Sequence, residues 1–179
     1  MTNTEMISLA KDAGFSDAAV LPTDEISFDF SFRVYCEENL CGKYGANYSC
    51  PPDCGTPEEM QQRILSRKNA LVLQTIWEIS DYTDEAAIRH AKKTHNNASI
   101  SLMNKLRERG HDCFMAGASG CDLCAPCSAA AGLPCRIPDQ RFSCLSAYCI
   151  FVRALAERCG MEYTCGDGLL AFFGMIVFD

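Results

Sequence analysis

The stretch from Gly120 to Arg136 constrains this chain more than any other. It reads Gly-Cys121-Asp-Leu-Cys124-Ala-Pro-Cys127, then Gly132-Leu-Pro134-Cys135-Arg136. Three thiols separated by two residues each, with a fourth shortly after, make a poor hydrophobic core and a good metal cradle. In bacterial ferredoxin-type runs the same spacing lets a tight loop present thiolates to the corners of an iron–sulfur cube. Zinc ribbons instead use two separated pairs, each holding one edge of a tetrahedron. The expectation is therefore a 4Fe-4S cluster on Cys121, Cys124, Cys127 and Cys135, with Gly132 and Pro134 bending the loop back and zinc as the alternative. Arg136 is the neighbouring cation, which would offset thiolate charge and favour the reduced state.

The rest of the chain suits such a centre. Its 179 residues suffice for one domain with a real core, so residues 1–179 are read as a single unit. Thirteen cysteines are too many for an ordinary core, and an odd number leaves one unpaired in any full disulfide scheme. Met1–Phe15 lacks the basic and apolar segments of a secretory signal. The last apolar run, Leu169–Phe178, is too short to cross a bilayer as a helix. A reducing cytoplasm with metal-bound thiolates is the expected setting. A net charge of -7 argues against general binding of nucleic acid or of anionic membranes, and leaves docking on a basic protein partner open.

Periodicity predicts alternating helices and strands. Helices are expected over Thr4–Ala13, from Thr56-Pro57 to about Lys68, over Asp84–Arg109 and over Ser143–Cys159. Thr56, Pro57 and Glu59 form a capping signature. Strands are expected at Ala18–Leu21, Ala70–Ile76, Asp112–Ala116 and Leu169–Phe178. The alternating Phe28, Phe30 and Phe32 suggest a short strand or extended loop within Thr23–Arg33. The fold class that follows is α/β, a single domain with a central sheet flanked by helices and two cysteine-rich metal-binding loops.

The other cysteine-rich loop contains Cys36, Cys41, Cys50 and Cys54, with Gly42, Gly45, Pro51 and Pro52 breaking both regular periods. Its uneven spacings match no simple zinc pattern, and a second cluster or a zinc ion are both open. A radical-type CxxxCxxC loop fails because Pro57 stands where the third cysteine is needed. Cys54 lies just before a helix N-terminus, whose partial charge would favour a thiolate. Tyr44 and Tyr48 lie inside this loop and are placed to shield a bound metal. Cys113, Cys144, Cys149, Cys159 and Cys165 are read mostly as packing residues, with Cys144 and Cys149 expected on a helix just after the main loop, from which they could approach its cluster. His90, His95 and His111 form no recognisable set, and no phosphate-binding or dinucleotide-binding glycine loop is present.

The run Cys41-Gly-Lys-Tyr-Gly-Ala-Asn-Tyr-Ser-Cys50-Pro-Pro52, the CxxCxxC loop, Gly132-Leu-Pro-Cys135-Arg136 and the closing Ala171–Phe178 together resemble the uncharacterised prokaryotic "predicted metal-binding protein" family. The resemblance covers the chain from about Cys36 onward. It implies metal binding through Cys36, Cys41, Cys50, Cys121, Cys124, Cys127 and Cys135, and no established reaction. Cys54 and Cys149 are less typical of it, and a small residue such as glycine is expected at position 149. The functional expectation is an iron–sulfur protein with one cluster or two, serving electron transfer or redox support for a partner enzyme. A small iron–sulfur reductase or dehydratase with its own substrate site and a structural zinc-binding interaction module are the alternatives.

Overall fold

The apolar runs near residue 73 and at the chain's end form two long central strands in the computed structural model, which describes residues 1–179. Strand β2 (Asn69–Glu78) pairs antiparallel with β5 (Leu169–Phe178) along its whole length. Strand β1 (Asp17–Pro22) lies outside β2, β3 (Cys113–Gly117) lies on the other side of β5, and a two-residue β4 (Ser143–Cys144) runs parallel to β3. The order across the sheet is β1-β2-β5-β3-β4.

Both faces are covered. Leu71, Leu73, Ile176 and Phe178 meet Met6 and Ala10 of α1 (Asn3–Asp12), and Leu102, Met103 and Leu106 of α4 (Glu85–Glu108). The alternate residues Ala70, Val72, Met175 and Val177 meet Met60 and Ile64 of α3 (Pro57–Leu65), and Leu155 and Ala156 of α5 (Val152–Arg158). Period-two alternation along strands buried on both faces thus yields a helix–sheet–helix sandwich, the expected α/β class. Helix α3 begins as its sequence dictates: Thr56 accepts from Glu59 N–H, and the Glu59 carboxylate accepts from Thr56 N–H, with Pro57 at the first position.

The structure decides one open reading and corrects another. Thr23–Arg33, read as a short strand or an extended loop, is not a strand; it forms one-turn 3-10 segments at Thr23–Glu25 and Phe30–Phe32, leading into α2 (Arg33–Glu37). The Asp29 carboxylate accepts from Ser31 N–H at 3.0 Å and turns the chain, leaving a single bridge between Phe28 and Ile150. Nor is Ser143–Cys159 one helix. Its first two residues spend their backbone groups on β3, and Cys149 sits at φ 55°, in the left-handed region that stops a helix. Only Val152–Arg158 is helical. That φ gives the expectation of a small residue such as glycine at 149 its physical reason.

Helix α4 lays His95 over the sheet, fully buried, with Nδ1 2.9 Å from Thr75 Oγ1 and Nε2 without a partner. Gly174 leaves the room: a Cβ there would stand 2.7 Å from Nε2. Burial holds His95 down to about 4, against an ordinary value of 6.5. Between those values the unfolded chain binds a proton that native His95 refuses, so stability falls as pH drops from 6.5 to 4 and levels off below. The shift corresponds to about 3 kcal/mol over that window. Denaturant midpoints measured across it should show this slope in the native sequence and a shallower one in His95→Gln; parallel curves would refute the assignment.

Candidate metal centre

The main cysteine loop is positioned from its root. Strand β3 ends at Gly117, where a Cβ would approach Asn96 Oδ1 to 2.7 Å and the Phe142 ring to 2.8 Å. The bare backbone lets buried Asn96 accept from Ala118 N–H at 2.9 Å and donate to Ser119 Oγ at 2.9 Å. The chain is therefore fixed just before Cys121. Beyond it, the loop holds only short 3-10 turns at Ser128–Ala131 and Pro138–Gln140. Gly132 takes φ 65° and Ser128 Oγ donates to Pro134 O at 2.8 Å, which folds Cys135 back toward Cys127. Cys121, Cys124, Cys127 and Cys135 consequently line one small cavity, with Tyr48, Ser49 and Arg141 also on its wall. Arg141 is the cation at this cavity; Arg136 is exposed and does not line it.

The other loop is laid against this one. Lys43 Nζ donates to Gly120 O at 2.9 Å, Asn47 Nδ2 to Cys121 O at 2.8 Å, and Tyr48 Oη to Leu133 O at 2.8 Å. Gly120 admits the contact, since a Cβ there would stand 3.0 Å from Cys50 Sγ. A second, wider cavity opens on the far side of this seam. Cys36, Cys41, Cys50 and Cys144 line it, together with Lys43, Lys92, Tyr35 and Tyr44. Two cysteine groups remote in sequence thus share a wall.

Of the eight thiols singled out by spacing, seven line one cavity or the other. Cys54 lines neither. It follows Cys50 by one turn, packs partly against the core, and has its thiol pushed up by burial despite the nearby Arg33 guanidinium. Cys144 takes a place that spacing did not suggest, because β4 carries it to the sheet end beside Ala118–Gly120. Cys113 and Cys159 pack in or against the core, as expected of lone cysteines. The histidines stay apart, with His90 against Trp77, His111 against Phe178 and His95 beneath α4. Lys43, Asn47 and Ser49 also escaped the sequence reading, although all three lie within the 41–52 run.

Burial, and then the charge of Cys144, pushes Cys36 up to about 11 and Cys50 up to about 12. Burial also raises Cys144 and Cys121. Lys43 opposes the rise at Cys50 and Arg33 at Cys36, while the N–H groups of Leu123 and Phe142 and the Ser49 hydroxyl favour the thiolate at Cys121. Thiols so gathered hold their protons until a cation replaces them. The residues fit a thiolate-bound metal on a further count. Ser49 Oγ is buried without any hydrogen-bond partner on the wall of the first cavity, an O–H facing a site of electron-rich sulfur. No three His, Cys, Asp or Glu side chains converge closely enough to hold a single ion.

All thirteen cysteines are free, and no helix is long and apolar enough to cross a membrane. An α/β sandwich that gathers free thiols around two adjoining cavities is a cysteine-rich metal-binding domain. The chain belongs to the family described as "Predicted metal-binding protein (DUF2284)", whose family model matches residues 19–178. No curated protein and no solved structure matches it.

Proposed function

We propose that the protein binds two iron–sulfur clusters and relays single electrons to a partner protein. The observation that carries this reading is the shared wall between the two thiol-lined cavities, where Cys50 lies against Gly120 and Cys41–Cys50 against Cys121. Centres held on either side of that wall are neighbours within one chain. Zinc would need four thiolates drawn to about 2.3 Å from one point. Three thiols on one tight loop, Cys121, Cys124 and Cys127, with Cys135 folded back to the same cavity, match the ferredoxin-type presentation of ligands to a cube instead.

A bound iron–sulfur cluster supplies reversible one-electron storage at a potential set by charge, hydrogen bonding and exposure. The chain's own residues set those conditions. Ser49 and the N–H groups of Leu123 and Phe142 favour the thiolate of Cys121 at the first cavity. Lys43 and Lys92 bring positive charge to the second, and Arg141 to the first. The first cavity is the more enclosed. The second reaches the surface at Cys41, beside the exposed Tyr35 and the 89 % exposed Leu40. Glu37 and Glu38 flank that apolar edge, so the fitting partner is a redox protein with a basic rim. Free thiols throughout support a reducing compartment such as the cytoplasm.

Anaerobic purification followed by iron, acid-labile sulfide and zinc analysis tests this reading. About eight iron and about eight sulfide per chain are expected, with a paramagnetic signal appearing on reduction. Stoichiometric zinc without sulfide or visible colour would end it.

A further inference from the structure

The second cavity has a ligand question that the first does not. Cys36 comes from α2, and Cys41 and Cys50 from the loop that follows, which leaves a fourth thiol to be named. Cys54 is nearest in sequence, yet the turn that begins at Cys50 carries it off the cavity wall and against the core. Cys144 is almost a hundred residues from Cys50 in sequence, yet on the same wall. Its position is fixed by backbone pairing, with Gly117 opposite Cys144 and Ala116 opposite Ser143. Leu145 N–H then donates to Gly117 O at 3.1 Å. The same strand end sends Ala118, Ser119 and Gly120 along the cavity.

We infer that Cys144, and not Cys54, completes the second metal centre together with Cys36, Cys41 and Cys50. The inference rests on the cavity being a metal centre, but not on which metal fills it. On ligation each thiol gives up its proton to solvent and the sulfur lone pair forms the metal bond. The two centres then differ in kind. The first is closed within Cys121–Cys135, a single loop. The second ties three elements together: α2, the 39–55 loop and β4. It therefore acts as a staple between the N-terminal cysteine segment and the edge of the sheet, closing a far longer loop of chain than the first.

Metal content of Cys144→Ala and Cys54→Ala, both purified anaerobically beside the unmutated chain, decides the matter. Cys144→Ala is expected to keep about half of the bound metal, with the first centre's spectrum intact, and Cys54→Ala to match the unmutated protein. Full content in Cys144→Ala, or an equal loss in Cys54→Ala, would overturn the assignment. Should Cys144→Ala not fold, Cys144→Ser preserves the buried volume and offers oxygen as a weaker ligand. It should lose metal from the second centre faster under a chelator; release at the unmutated rate counts against Cys144. Zinc without sulfide in the unmutated protein would refute the iron–sulfur reading, while the halving in Cys144→Ala would still show as halved zinc.

Discussion

Stripping the metal with a chelator under anaerobic conditions is expected to open residues 33–55 and 118–142 to protease while the sheet remains folded. The two regions differ in what holds them. The sheet's faces are closed by apolar packing of α1 and α4 on one side and of α3 and α5 on the other, with Leu71, Leu73, Val72, Met175 and Ile176 fully buried. None of that depends on a thiolate. The two loops have short 3-10 turns, α2 and a handful of side-chain bonds, among them those from Lys43, Asn47 and Tyr48 across the seam. Most residues from Cys124 to Gln140 are only partly buried or exposed. Without metal, the gathered thiols leave a cavity whose walls have little reason to stay together. Amide exchange in both loops should accelerate roughly a hundredfold or more, while β2 and β5 keep their protection. Loops that stay protected after complete removal of metal would show that protein contacts alone hold them. Cooperative loss of the whole sheet would show that the centres are structural to the core.

The parts of this molecule that were legible in the sequence are those governed by local rules. Thr56-Pro57-Glu58-Glu59 specifies its helix start because every group in a capping box lies within one turn. The runs forming β2 and β5 declare themselves because strands buried on both faces must be apolar throughout. The loop Cys121–Cys135 closes on itself, so its spacing already fixes which thiols can share a cavity. Cys144 was not legible. Its role depends on a two-residue parallel pairing with Gly117, and no periodicity reports a pairing that short. The Ser143–Cys159 composition reads as helix, and only the left-handed backbone at Cys149 reveals that the helix starts late. Cys54 shows the converse. It is close to Cys50 in sequence, but one turn of backbone takes it off the cavity wall and against the core.

Replacing Arg33 by methionine is expected to remove the second centre and leave the first. Arg33 opens α2, three residues before Cys36. Its guanidinium spans two distant segments: Nη1 donates to Gly55 O at 3.0 Å and Nη2 to Ala147 O at 3.0 Å. Gly55 ends the cysteine loop, and Ala147 lies three residues after Cys144, so this one side chain holds both thiol-bearing segments in register. Its charge also favours the thiolates of Cys36 and Cys54, and its Nε–H is buried without an acceptor. Methionine fills a similar volume but strands two carbonyls, a cost of roughly 3 kcal/mol for two charge-assisted bonds. Lysine keeps the charge and cannot make both contacts at once, because an ammonium lacks the planar fork. Arg33→Lys should therefore retain metal in part, and Arg33→Met should fall to about half the content of the unmutated chain with the first centre's spectrum preserved. The order Arg, Lys, Met in both metal content and denaturant midpoint is the signature of a geometric clamp. If Lys matches Arg, charge alone is what the second centre needs from this position. If Met matches Arg in both measurements, the clamp plays no part in assembling the second centre.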